Sequence, residues 1–106
     1  MLKIITLAVP TLIATTVLAH AANVTVYQEN RKFSEKEVAV KVGDTVTFSN
    51  KDSYTHNVFS STSGMAFDLK TQKSGESSEV KFDTAGEAEV QCAIHPQMKM
   101  KVKVQP

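Results

Sequence analysis

Scarcity comes first in this chain. Its 106 residues hold one cysteine, no tryptophan, two tyrosines, three histidines, three prolines and four glycines. A single thiol excludes an internal disulfide, so it must be buried, shared with another molecule or used. Without tryptophan the core has to rest on Val, Phe, Ala and Leu. No internal repeat and no low-complexity tail is present. An excess of one charge is missing too, with 12 Lys+Arg against 11 Asp+Glu. Setting residues 1–21 aside removes Lys3 and leaves 11 against 11. That balance gives no electrostatic reason to expect nucleic acid or an anionic membrane as partner.

Long apolar runs are also lacking, with one exception. Ile4 to Leu18 is almost wholly apolar or small and follows Lys3. It is shorter than the roughly 20 residues that span a bilayer, and Pro10 interrupts it. Ala19-His20-Ala21 then has the small-x-small form of a signal-peptidase site. No cysteine stands near that point, which excludes a lipoprotein anchor. The reading is a signal peptide over residues 1–21, cut after Ala21 or Ala22. It would leave a periplasmic domain of residues 22–106 with no membrane insertion after processing. His20 departs with the signal, so the domain keeps His56 and His95.

What is present is a period of two. Val24 and Val26, Val38 to Val42, Val46 and Phe48, Val80 and Phe82, and Ala88 to Cys92 alternate with polar neighbours. Met100, Val102 and Val104 alternate with Lys99, Lys101 and Lys103. Such alternation predicts half-buried strands, with a turn at Gly43-Asp44. No stretch of residues 22–106 carries a helical stripe. Polar segments 29–37 and 61–77 read as longer connections. Seven or eight short strands in one domain predict an all-β, Greek-key β-sandwich. The lysines of the last strand read as a solvated face that discourages edge pairing.

The chemistry is concentrated in Cys92-Ala93-Ile94-His95-Pro96-Gln97-Met98-Lys99-Met100. Cys92 continues the inward set of Ala88 and Val90, and Pro96 helps bend the chain back. His56 lies 36 residues upstream, beyond the Asp52-Ser53 loop, and a sandwich can bring both loops to one end. Taken alone, a buried cysteine is most often a small hydrophobe, a turn histidine is surface decoration and a methionine is core filler. Taken together, both remaining histidines and the only thiol fall in two loops that one fold can join. Two imidazoles, a thiolate and a thioether suit copper in both oxidation states. Zinc prefers four strong donors and paired spacings that are absent here.

"CAIHPQM", "HNV" and "VKVGDTVTF" together resemble the cupredoxins, the type 1 blue copper proteins, and among them the amicyanin- and plastocyanin-like group. The resemblance covers residues 23–105. It implies His56, Cys92 and His95 as strong ligands of one type 1 copper, with Met98 axial. Met100 competes, because some relatives place the axial methionine five residues after the second histidine. Strand parity assigns Met100 to the core with Val102 and Val104. The resemblance also gives Asn57 two roles: its N–H bonds the cysteine sulfur, and its side chain ties the ligand loops together. Ile94 stands where the amicyanin-like loop usually has proline, so an added N–H bond to sulfur and a raised potential are expected. An uncharged patch of Ala93, Ile94, Pro96, Gln97 and Met65 around His95 would suit transient docking.

The function this implies is single-electron shuttling by a monomer, between partners such as a periplasmic dehydrogenase and a c-type cytochrome. No catalytic machinery is visible, since no histidine is spare. The alternative is a periplasmic copper chaperone or store for Cu(I), although such proteins often carry Met/His-rich strings and none occurs here. A redox-inert structural domain is the third reading.

Overall fold

A computed structural model describes residues 22–106, so the signal peptide read at residues 1–21 lies outside the described residues. Among the described residues, nine strands form two sheets: β1 (Asn23–Glu29), β2 (Lys32–Phe33), β3 (Glu37–Lys41), β4 (Thr45–Asn50), β5 (Val58–Ser60), β6 (Phe67–Asp68), β7 (Ser77–Lys81), β8 (Gly86–Cys92) and β9 (Lys99–Gln105). One sheet runs β2-β1-β4-β7, and the other β3-β9-β8-β5-β6. The β-sandwich is the expected one. Two of the nine strands, β2 and β6, are two residues long and sit inside the segments read as connections.

Alternation predicts the buried faces well. Val26, Val46, Phe48, Val58, Ala88, Val90 and Val102 lose all solvent contact. Phe48 sits at the centre, edge-on to Phe33 and stacked with Phe67 at 6.0 Å. Val42 departs from the pattern. It is 43% exposed, because β3 ends at Lys41 and the turn has already begun.

Gly43 sits in that turn at φ +94, a left-handed conformation that glycine adopts without a Cβ penalty. Asp44 beside it accepts hydrogen bonds from the N–H groups of Ala22 at 2.9 Å and Lys41 at 2.8 Å. The backbone N–H bonds from Lys41 and Ala22 hold its carboxyl below the ordinary carboxylate range, against a smaller opposing effect of burial. The unfolded chain therefore binds the proton more readily than the folded one. The stabilisation is complete above the ordinary carboxylate pKa of about 4 and disappears as pH falls through the lower folded value. An Asp44→Asn variant should lose part of the drop in urea midpoint between about pH 5 and pH 3. A drop unchanged from the parent would show that Asp44 contributes nothing to acid lability.

The last strand corrects an expectation. β9 is not an edge, for it lies between β8, antiparallel, and β3, parallel. Its lysines are solvated as expected, yet Lys101 pairs with Glu87 and Lys103 with Glu37, both at 3.1 Å. A parallel partner some sixty residues away leaves no local sign in the sequence.

Candidate metal centre

Both chemically loaded loops emerge at the same end of the sandwich. β8 delivers Cys92 as its last residue, and the antiparallel pairing of Val58 with Cys92 brings the His56 segment alongside. His56 is held by backbone bonds in both directions to Gln72, at 3.0 and 2.7 Å. Chain after Cys92 turns at once, with the Met98 N–H donating to the His95 carbonyl at 2.9 Å. That turn folds His95 back over the thiol.

Three donor atoms now face one point. Cys92 Sγ lies 3.5 Å from His56 Nδ1 and 3.9 Å from His95 Nδ1, and the two nitrogens are 3.2 Å apart. A circle through atoms so spaced has a radius of about 2.1 Å, a metal–imidazole bond length and within about 0.2 Å of a metal–thiolate bond. The donors thus fit a single ion without rearrangement. Among the described residues this is the one such grouping of His, Cys, Asp or Glu. His56 and Cys92 are buried and His95 is half-buried, so one edge of the centre faces solvent.

Each imidazole is prepared for metal. His56 Nε2 meets the buried carboxylate of Asp52 at 2.7 Å. A carboxylate accepts, so Nε2 carries the proton and Nδ1 presents its lone pair to the donor triangle. Burial would raise the pKa of Asp52, but bonds from His56 and from the N–H groups of Asn30 and Arg31 outweigh it and lower it. His95 is pushed below its ordinary value by burial, then by His56 and Arg31. A neutral ring with a free lone pair follows. Tyr54 packs edge-on against both rings, at 5.3 Å from His56 and 5.5 Å from His95.

Met98 and Met100 part company here. Both are 2% exposed. Met100 pairs across the sheet with Val90 and belongs to the hydrophobic core. Continuing the same register places Met98 directly opposite Cys92, and the Cys92 N–H donates to the Met98 carbonyl at 3.3 Å. Directly opposed residues share a face, with Cβ atoms about 5 Å apart. Met98 stands outside the core cluster.

The Asn57 N–H donates to Cys92 Sγ at 3.4 Å, as expected. Its side chain does not tie the ligand loops together but donates to Asp68 at 2.8 Å. The tie is backbone, from the Ala93 N–H to the Asn57 carbonyl at 2.9 Å. Ile94 forms no bond to the sulfur, so the expected rise in potential loses its basis; Asn57 is the backbone donor. Met65 is 8% exposed and lies in the core, not in the surface patch. Asp52 and Tyr54 are the functional neighbours that sequence reasoning passed over. An acid four residues before a ligand histidine was the available signal for Asp52.

Residues 20–105 match the family model described as copper binding proteins, plastocyanin/azurin family. The chain belongs to that family. This cupredoxin is 38% identical over 77 residues to amicyanin-alpha of Methylorubrum extorquens, covering 70% of this chain and 65% of that protein. It thus spans just under two thirds of that relative's length. An amicyanin variant solved in its Cu(I) form superimposes with a TM-score of 0.72 at 31% identity, covering 78% of this chain and 82% of that one. A copper-containing nitrite reductase from Thermus scotoductus SA-01 gives 0.74 at 27% identity; the match covers 79% of this chain but 22% of the enzyme. Family and donor set together make the cofactor one type 1 copper ion.

Proposed function

We propose that this cupredoxin is an exported, monomeric carrier of single electrons, working in the periplasm on residues 22–106 after removal of residues 1–21. The observation that carries the reading is the compact triangle of His56 Nδ1, Cys92 Sγ and His95 Nδ1. These three side chains are the strong ligands in this reading, and Met98 is the weak axial one. Bound copper supplies a one-electron couple. The protein supplies rigidity: Asp52 fixes the His56 ring, the Asn57 N–H braces the sulfur, and buried neighbours exclude water. Donors held in one arrangement need little reorganisation when the charge between them changes.

His95 is the exit. Its ring is half-buried among exposed Ala93, Ile94, Pro96 and Gln97, with Ile94 at 48% exposure. A small uncharged patch suits brief contact with redox proteins such as a periplasmic dehydrogenase and a c-type cytochrome. Both histidines of the processed chain serve as ligands, which leaves none for substrate chemistry.

Titrating the purified domain with Cu(II) tests the reading. An intense blue centre of one copper per chain, bleached by ascorbate and restored by an oxidant, is the expected result. Colourless, readily exchanged Cu(I) would make it a chaperone instead, and no stoichiometric copper would make it structural. The axial assignment has its own test. Met98→Leu should change the visible and paramagnetic-resonance spectra of the copper form, while Met100→Leu leaves them alone and lowers stability by about 1 kcal/mol. Spectra altered by Met100→Leu alone would reverse the assignment.

A further inference from the structure

The β1–β2 hairpin closes through Asn30-Arg31 at φ +56 and +57. This is the two-residue turn that usually ends in glycine. Arginine there costs about 1–2 kcal/mol relative to an unstrained backbone. Asp52 pins the turn, accepting the Asn30 N–H at 2.7 Å and the Arg31 N–H at 3.3 Å while it also holds His56. The turn directs the Arg31 guanidinium over the Tyr54 ring, 5.4 Å from its centre, and Tyr54 packs on His95. A strained arginine is thereby fixed beside the exposed edge of the copper centre.

It is not alone there. A groove of about 420 Å³ opens between the hairpin and the ligand loop, lined by Arg31, Lys32, Lys36 and Lys99, with Gln97 from the loop itself. Glu35 is its one acidic lining residue, and Glu29 lies across the hairpin from Lys32. Of the seven lysines elsewhere among the described residues, three are matched, Lys81 by Asp83, Lys101 by Glu87 and Lys103 by Glu37, while Lys41, Lys51, Lys70 and Lys73 are not. The groove differs in gathering four cations against one lining acid. None of the four groove cations takes part in an ion pair among the described residues. A domain with 11 positive and 11 negative side chains is therefore locally positive next to His95.

The geometry points to this groove as a docking surface for an acidic redox protein, which it would orient so that the partner's redox centre approaches His95. The inference rests on the electron-carrier reading. A polyanion such as nucleic acid is disfavoured by the zero net charge of residues 22–106; a compact acidic patch needs only the local field.

Stopped-flow mixing of the reduced copper protein with two ferric c-type cytochromes, one acidic and one basic, tests it. One electron passes from Cu(I) to haem iron in each case. The acidic cytochrome should react at least about tenfold faster at 10 mM ionic strength than at 0.5 M, whereas the basic one should not slow with salt. Arg31→Glu with Lys36→Glu should slow the acidic reaction about tenfold at low salt, and Lys81→Glu should leave it within about twofold. Arg31→Gly, which relieves the strained turn, should also slow it. Potential and visible spectrum of each variant distinguish lost docking from an altered centre. Rates indifferent to salt, or equal losses from Lys81→Glu, overturn the docking surface and leave the carrier reading intact. A domain with no reversible copper couple overturns both.

Discussion

Cys92→Ser should yield a folded protein with no blue centre. The thiolate is the soft donor of the set, and its charge-transfer band gives a type 1 site its colour. A serine hydroxyl at the same position is harder and remains protonated at neutral pH. Copper affinity should fall by more than about 100-fold, beyond the 10–100-fold typical of losing a supporting hydrogen bond. Folding should suffer little. The Asn57 N–H that now meets the sulfur at 3.4 Å can meet an oxygen, and the cost should stay near about 1–2 kcal/mol. Visible absorption, Cu(I) competition titration and thermal melting of the metal-free form read the three effects separately. A blue Cys92→Ser protein would remove the thiol from the centre altogether.

Asp52→Ala should be the most damaging single change outside the donors. This one buried carboxylate holds His56 Nε2 and the backbone of the Asn30-Arg31 turn. The turn can pass its N–H groups to water, because Asn30 and Arg31 are exposed. His56 cannot, being wholly buried, and an orphaned buried donor costs about 1–3 kcal/mol. With the turn released as well, about 3 kcal/mol is expected, which lowers Tm by roughly 12–24 °C in a domain of this size. Copper affinity should fall about 10–100-fold as the His56 ring loses its fixed orientation. Asp52→Asn separates charge from geometry, since it keeps an oxygen for the turn but weakens the bond to imidazole. It should recover much of the stability and less of the affinity. Alanine and parent melting within about 3 °C of each other would mean that Asp52 merely fills space.

These two residues were not equally legible. Cys92 announced itself by rarity, by its inward phase with Ala88 and Val90, and by a histidine three residues on. Asp52 looked like an ordinary loop acid, because nothing in Asn50-Lys51-Asp52-Ser53 says which backbone it will meet. Its hairpin partners lie about twenty residues upstream, and Asn30-Arg31 lacks the glycine that usually marks such a turn. Met65, read as surface, is buried because residues 61–69 fold back through β6 onto the core. A two-residue strand carries too little alternation to be seen beforehand.

Local chemistry was written in the chain: period-two alternation fixed which faces are apolar, and the donor types limited the metal to a soft, redox-active one. Those properties depend on neighbours within a few residues, and neighbours are what a sequence displays. Pairing partners were another matter. That β9 sits between β3 and β8, and that Asp52 grips a histidine and a hairpin at once, are contacts between distant segments. They follow from the register of packed sheets, in which a shift of one residue would exchange every inward side chain for an outward one.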